Sequence, residues 1–310
     1  MAISNVLQGG SINATDYNNL QSKVASILGT GSGDYGYGQT VVSSQVSATN
    51  FPSTIGDLVT ATQMDNLKAD IQKCWVHQTA NTFSLGDINA GDEITAGTGT
   101  TTKTHNQYIS YVNTIDTNRL PTVSLNASQM TTTQSVRADQ RTADWNNFIN
   151  YIFRVEFTND NHRRHFFNTG GQIRISLSMS NIPANTDPRY LKSYNWQQIL
   201  NNVGIVTFGF SQNQSTSTAY NIIYSSNAGD WNNTVYSEND VIVRVRANPS
   251  TNILEFEVRL QDDDTGDQTG IGPAQDEDVS GTISCSVDEF RATGSYVSIA
   301  APTYTNVSTF

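Results

Sequence analysis

The runs DVIVRVRA (residues 240–247) and ILEFEVRL (residues 253–260), joined through ANPSTN (residues 247–252), decide the fold. Both are rich in β-branched and aromatic residues and read as strands. The link supplies Asn, Pro and Ser, which favour chain reversal, so the pair reads as a β-hairpin with the arginines of VIVRVR on its wet face. Five further β-rich runs lie outward from it: FINYIFRVEF (148–157), GQIRISLSMS (171–180), GIVTFGF (204–210), AYNIIYS (219–225) and GTISCSVDEF (281–290). Clusters of Asn, Gly, Asp, Ser and Pro separate them. One helix, SYNWQQILNNV (193–203), interrupts the series. Short strands without alternating long helices predict a mainly β chain whose residues 144–310 form a β-sandwich of jelly-roll type.

The stretch HFFNTGGQIRI (165–175) reads as a tight chain reversal, with Phe166 and Phe167 as core anchors, feeding the half-buried strand QIRISLSMS. His162 and His165 flank Arg163 and Arg164. Two imidazoles without a nearby cysteine fall short of a zinc ligand set, so a capping or turn-packing role is expected.

The N-terminal part contains a repeat. INATDYNNLQSKVASIL, from Ile12, aligns without gaps on VTATQMDNLKADIQKCW, from Val59. Apolar positions match at Tyr17/Met64, Leu20/Leu67, Val24/Ile71 and Ile27/Cys74, a three-four-three spacing that marks one helical face. A Thr or Asn before each run supplies an N-cap. Two short helices build little core, so Tyr17, Leu20, Val24, Ile27, Met64, Leu67 and Ile71 are expected to face another copy or a neighbouring protein. Residues 1–78 are thus read as a helical attachment and oligomerisation module. Residues 79–143 are polar and Thr-rich, and are expected to form an extended connector with short strands.

The composition narrows function. A formal net charge of −11 argues against a grip on nucleic acid, which needs clustered Lys and Arg. No apolar stretch reaches the length of a membrane span, and the first residues lack the basic lead and apolar run of a secretory signal, so synthesis and assembly in a cytoplasm are expected. Charged residues are only 15% of the chain, against roughly 25% in ordinary proteins. The surface is therefore built from Ser, Thr, Asn, Gln and Gly. Cys74 and Cys285 read as small buried hydrophobes.

Candidate chemistry is sparse. The acidic block from Asp262 to Asp278 offers Asp262, Asp264 and Asp267 as hard oxygen ligands for Ca²⁺, with a solvated loop held by Asx-turns as the other reading. No other cofactor is expected. GTGSGDYGYGQ (29–39) follows a helix rather than a strand, so it reads as a turn in which Tyr35 and Tyr37 pack, not as a phosphate cradle. No Gly-x-Ser-x-Gly occurs, and the four histidines lie near no nucleophile motif, so the chain is read as no enzyme. Trp196, Trp231, Tyr194, Tyr220, Tyr224 and Tyr236 would serve either as core or as a glycan platform.

HFFNTGGQIRI, with ILGTGSGDYGYGQ (27–39), DDDTGDQTG (262–270), GPAQDEDVSGTIS (272–284) and RATGSYVSIAAPTYT (291–305), resembles virion structural proteins of tailed bacteriophages, especially phages of marine bacteria and cyanobacteria. The resemblance implies a non-enzymatic particle component located in the virion, a tail, neck or fibre-like appendage. Its partners would be further copies of itself, as a trimer or hexamer, and neighbouring virion proteins. The alternative is a module that binds host-surface glycan, with Ca²⁺ assisting.

Overall fold

The computed structural model describes residues 14–30, 36–47, 59–89, 105–119, 125–210, 217–227, 239–262 and 278–310. These form two antiparallel sheets and five α-helices, mostly β with some helix. The chain divides into two units. A helical unit takes Met1–Thr131, Arg164–Gly171 and Arg291–Ala300, and a β unit takes Thr132–Arg163, Gln172–Phe290 and Ala301–Phe310.

In the helical unit, the repeat becomes α1 (Ala14–Leu28) and α2 (Ala61–Thr79), which begin at equivalent positions of the two copies. A capping box starts α2: the Thr60 hydroxyl accepts from the Gln63 N–H and the Gln63 carboxamide oxygen accepts from the Thr60 N–H. Ala80 ends it in the left-handed region, its N–H donating to the Val76 carbonyl. A third helix, α3 (His105–Asn118), packs on both.

This third helix corrects the connector reading of residues 79–143. Tyr108, Ile109, Val112 and Ile115 recur at helical spacing and are buried, although the surrounding sequence is polar. It also corrects the docking reading. Tyr17, Leu20, Val24, Ile27, Met64, Leu67 and Ile71 are all buried inside this chain, because three apolar helical faces cover one another.

The glycine-rich segment has a specific task. The N–H groups of Tyr37, Gly38 and Gln39 donate to the carbonyls of Ile27, Gly29 and Leu28, which the end of α1 would otherwise leave unsatisfied. A Cβ on Gly36 would sit 1.9 Å from the Gly29 carbonyl oxygen, and one on Gly38, at φ +72°, 2.2 Å from His165 Nδ1. Beyond this turn, the segment up to Val46 is clasped by side chains. Asn18 exchanges two hydrogen bonds with the Val46 backbone, Gln21 donates to the Ser43 carbonyl, and buried Asp70 accepts from the N–H groups of Val42 and Ser43. Tyr35 lies outside the described residues.

The β unit holds β1 (Met130–Arg141), β2 (Phe148–Glu156), β3 (Gln172–Ser180), β4 (Ile205–Phe208), β5 (Asn221–Asn227), β6 (Asp240–Ala247), β7 (Ile253–Gln261), β8 (Thr282–Ala292) and β9 (Thr303–Ser308). One sheet has the order β1-β8-β3-β4 and the other β5-β6-β7-β2-β9. The opening hairpin is β6–β7, with Asp240 opposite Gln261 and Ala247 opposite Leu254. Phe153 and Phe256 stack at 5.1 Å, and Phe208 of the other sheet meets Phe256 edge to face at 5.2 Å, so the two inner faces share one core.

Two boundaries differ from expectation. Residues 144–310 are not one domain, since Arg164–Gly171 and Arg291–Ala300 belong with the helices. HFFN is the end of a helix, α4 (Asp160–Asn168), and the chain reversal begins only at Thr169. Phe166 and Phe167 are buried as expected, and Asn168 donates to the Gly36 carbonyl. The strand that follows alternates as read, with Ile173, Ile175, Leu177 and Met179 buried.

Candidate functional site

The outward face of the five-stranded sheet gathers a charged network from β2, β6 and β7. Alternation places it there. Val241, Val243 and Val245 of β6 point into the core, which leaves Arg244 and Arg246 outside, and the register sets Arg244 opposite Glu257 and Arg246 opposite Glu255. From the other side β2 sets Arg154 opposite Glu255.

Glu255 is the hub. Its carboxylate receives Arg154 at 2.7 Å, Arg246 at 2.5 Å, the Tyr220 hydroxyl at 2.9 Å and the Asn248 carboxamide at 2.9 Å. Glu257 receives Arg244 at 2.7 Å. The glutamates are buried, 2% and 3% exposed, under guanidinium groups laid across them. Burial alone would raise the Glu255 carboxyl, but the hydrogen bonds from Arg246, Arg154 and Tyr220 outweigh it and hold it below the ordinary glutamate range. The Tyr220 hydroxyl is pushed up to about 12, first by burial and then by its bond to Glu255. Arg244 and Arg246 both lie over the Tyr220 ring, at 4.6 and 4.4 Å.

This arrangement is poorly suited to proton transfer, because the Glu255 carboxylate is saturated with donors and held ionised. It is suited to contact. Arg154, Arg244 and Arg246 keep about a third of their side-chain surface open, at 34%, 33% and 32%, and each guanidinium has more donors than one carboxylate uses. Apolar groups flank the network: Ile222 is 63% exposed, and Phe148, beneath Arg259 at 4.1 Å, is 44% exposed. Arginine and tyrosine pre-fixed on a rigid sheet are the residue types that dominate protein interfaces.

The other singled-out residues have local roles. Asp262 is buried against Lys192 at 2.9 Å, an occupation different from the expected ion ligand, while Asp264 and Asp267 lie outside the described residues. Among the described residues no group of three or more His, Cys, Asp or Glu is placed to hold a metal. His162 Nδ1 accepts from the Thr158 N–H at the entry to α4. His77 and His105 are buried in the helical unit, and burial pushes the His77 imidazole down to about 4. Cys74 and Cys285 are buried free thiols, both pushed up by desolvation. Trp196 is wholly core, Tyr194 is 43% exposed and stacks on Tyr190, and Trp231 and Tyr236 lie outside the described residues.

Comparison with protein-family models, with curated proteins and with solved structures returns no match. Among the described residues no helix is long and apolar enough to cross a membrane.

Proposed function

We propose that this chain is a non-enzymatic structural component of a tailed-phage virion, in a tail, neck or fibre-like appendage, as its sequence resemblance implies. The observation that supports an assembly role is the arginine face: three partly open guanidinium groups held rigid over buried Glu255 and Glu257. A neighbouring subunit, either another copy or a different virion protein, would take the remaining guanidinium donors. The seven apolar positions of α1 and α2 are spent on the chain's own core, so the contact surface moves to the β unit.

The β unit itself is read as a sandwich with jelly-roll-like wrapping. Its first strand pairs with its eighth and its second with its seventh, the nested pairing that folds a jelly roll. It departs from that pattern where β4 stays beside β3 and β5, β6 and β7 run as a meander.

The test is mass spectrometry of purified particles of the phage whose genome encodes this chain. The chain is expected at a fixed copy number per particle, a multiple set by the symmetry of its ring or spike. Its absence from the particle, or a copy number that washes away with purification, overturns the proposal.

A further inference from the structure

Where β7 ends, Asp262 lies in contact with Lys192 of α5 (Tyr190–Val203). Lys192 Nζ is 2.9 Å from Asp262 Oδ2, and neither side chain has any exposed surface. The surroundings are buried and held by hydrogen bonds. Trp196 is fully buried and packs on Trp145 at 5.1 Å, the Asp262 N–H donates to the Asn147 carbonyl, and the Ser193 hydroxyl, next to Lys192, accepts from the Ser280 N–H. Buried Asn239 completes the group: in the amide orientation that satisfies its neighbours it donates to Asp262 Oδ1 at 3.1 Å and accepts from Trp196 Nε1 at 3.3 Å.

An amine and a carboxyl group are thus held together, out of water, with a hydrogen-bond donor on the second carboxyl oxygen. Such positioning raises the effective concentration of two reacting groups to on the order of 10⁵ M or more. A buried pair of opposite charges carries a desolvation cost that vanishes when the two become one neutral amide. We propose that Lys192 and Asp262 condense into an intramolecular amide that ties α5 to the end of β7.

The step balances without a co-reactant. The Lys192 ammonium passes one proton to Asp262 Oδ2, leaving a neutral amine facing a carboxylic acid. The Nζ lone pair attacks Cγ and forms the N–C bond, while Oδ1 takes the negative charge beside the Asn239 N–H, the role of an oxyanion donor. Collapse breaks the Cγ–Oδ2 bond. That oxygen leaves with its own proton and the one shed by the nitrogen, as a single water. Nothing is oxidised or reduced, and burial keeps water from the product. This link is independent of the particle reading.

Mass spectrometry of the purified full-length chain under denaturing conditions tests it. The expected result is a chain lighter by the mass of one water. Trypsin should then fail to cut after Lys192 and release a branched product joining residues 190–244 to residues 260–291. Lys192→Met should restore the full mass. A full-mass native chain cut after Lys192, a mass deficit that survives in Lys192→Met, or loss of ammonia with Lys192 joined to Asn239 would each overturn the assignment.

Discussion

At the residue scale, buried titratable groups in this protein divide by the pH window in which they act. Glu255 is answered four times over, and because its carboxyl is lowered, its contribution is lost only as the pH falls below the ordinary glutamate range. His77 is different: its imidazole is held neutral by burial, with its ordinary value of 6.5 lowered to about 4, although a backbone hydrogen bond at Thr169 works in the opposite direction. His105 is lowered by burial too. Because the unfolded chain takes up the proton first, stability is full above about pH 6.5 and falls as the pH drops towards 4, levelling below that. His77 alone should contribute a loss of roughly 3 kcal/mol across that window. Urea unfolding followed by helical circular dichroism at about pH 7 and about pH 4.5 measures it. His77→Gln should shift less between the two pH values than the parent chain, whereas equal shifts would mean that His77 does not carry the effect.

At the element scale, α3 and the β6–β7 hairpin show what the sequence discloses and what it hides. The hairpin was legible twice over, since alternation puts Arg244 and Arg246 on one face and a turn after Ala247 brings them opposite Glu257 and Glu255. The α3 pattern was also present, in Tyr108, Ile109, Val112 and Ile115, but Thr-rich flanks masked it. β1 was legible only as one of the connector's short strands, for a physical reason: as an edge strand, its MTTTQS half is almost wholly exposed beyond Met130 and has no buried face to impose alternation. If α3 is a core element, Ile115→Ala should cost the helical unit about 2–4 kcal/mol in chemical denaturation, as truncation of a fully buried side chain does. A change within about 0.5 kcal/mol is what an exposed connector would give, and it would contradict the packing of α3.

At the scale of the whole molecule, the discontinuous units explain why a linear division into module, connector and domain was incomplete. Local periodicity marks helices and strands, but it carries no information on which unit a segment such as HFFNTGG joins. That choice rests on contacts across more than a hundred residues, such as Asn168 with Gly36. The Glu255 hub was only partly legible for the same reason. Arg154 and Tyr220 reach it from separate strands and loops, and no spacing rule links them. The same long-range pairing turned Asp262 from the first member of an acidic run into the partner of Lys192.

We propose the arginine face of the five-stranded sheet as an assembly surface within a particle. Its most direct test is labelling with an arginine-directed dicarbonyl reagent, comparing the free chain with the chain in purified virions and reading each site by mass spectrometry. Arg154, Arg244 and Arg246 should label in the free chain, where about a third of each side chain is open, and be protected in the particle. Equal labelling of these three arginines in both states would contradict the account.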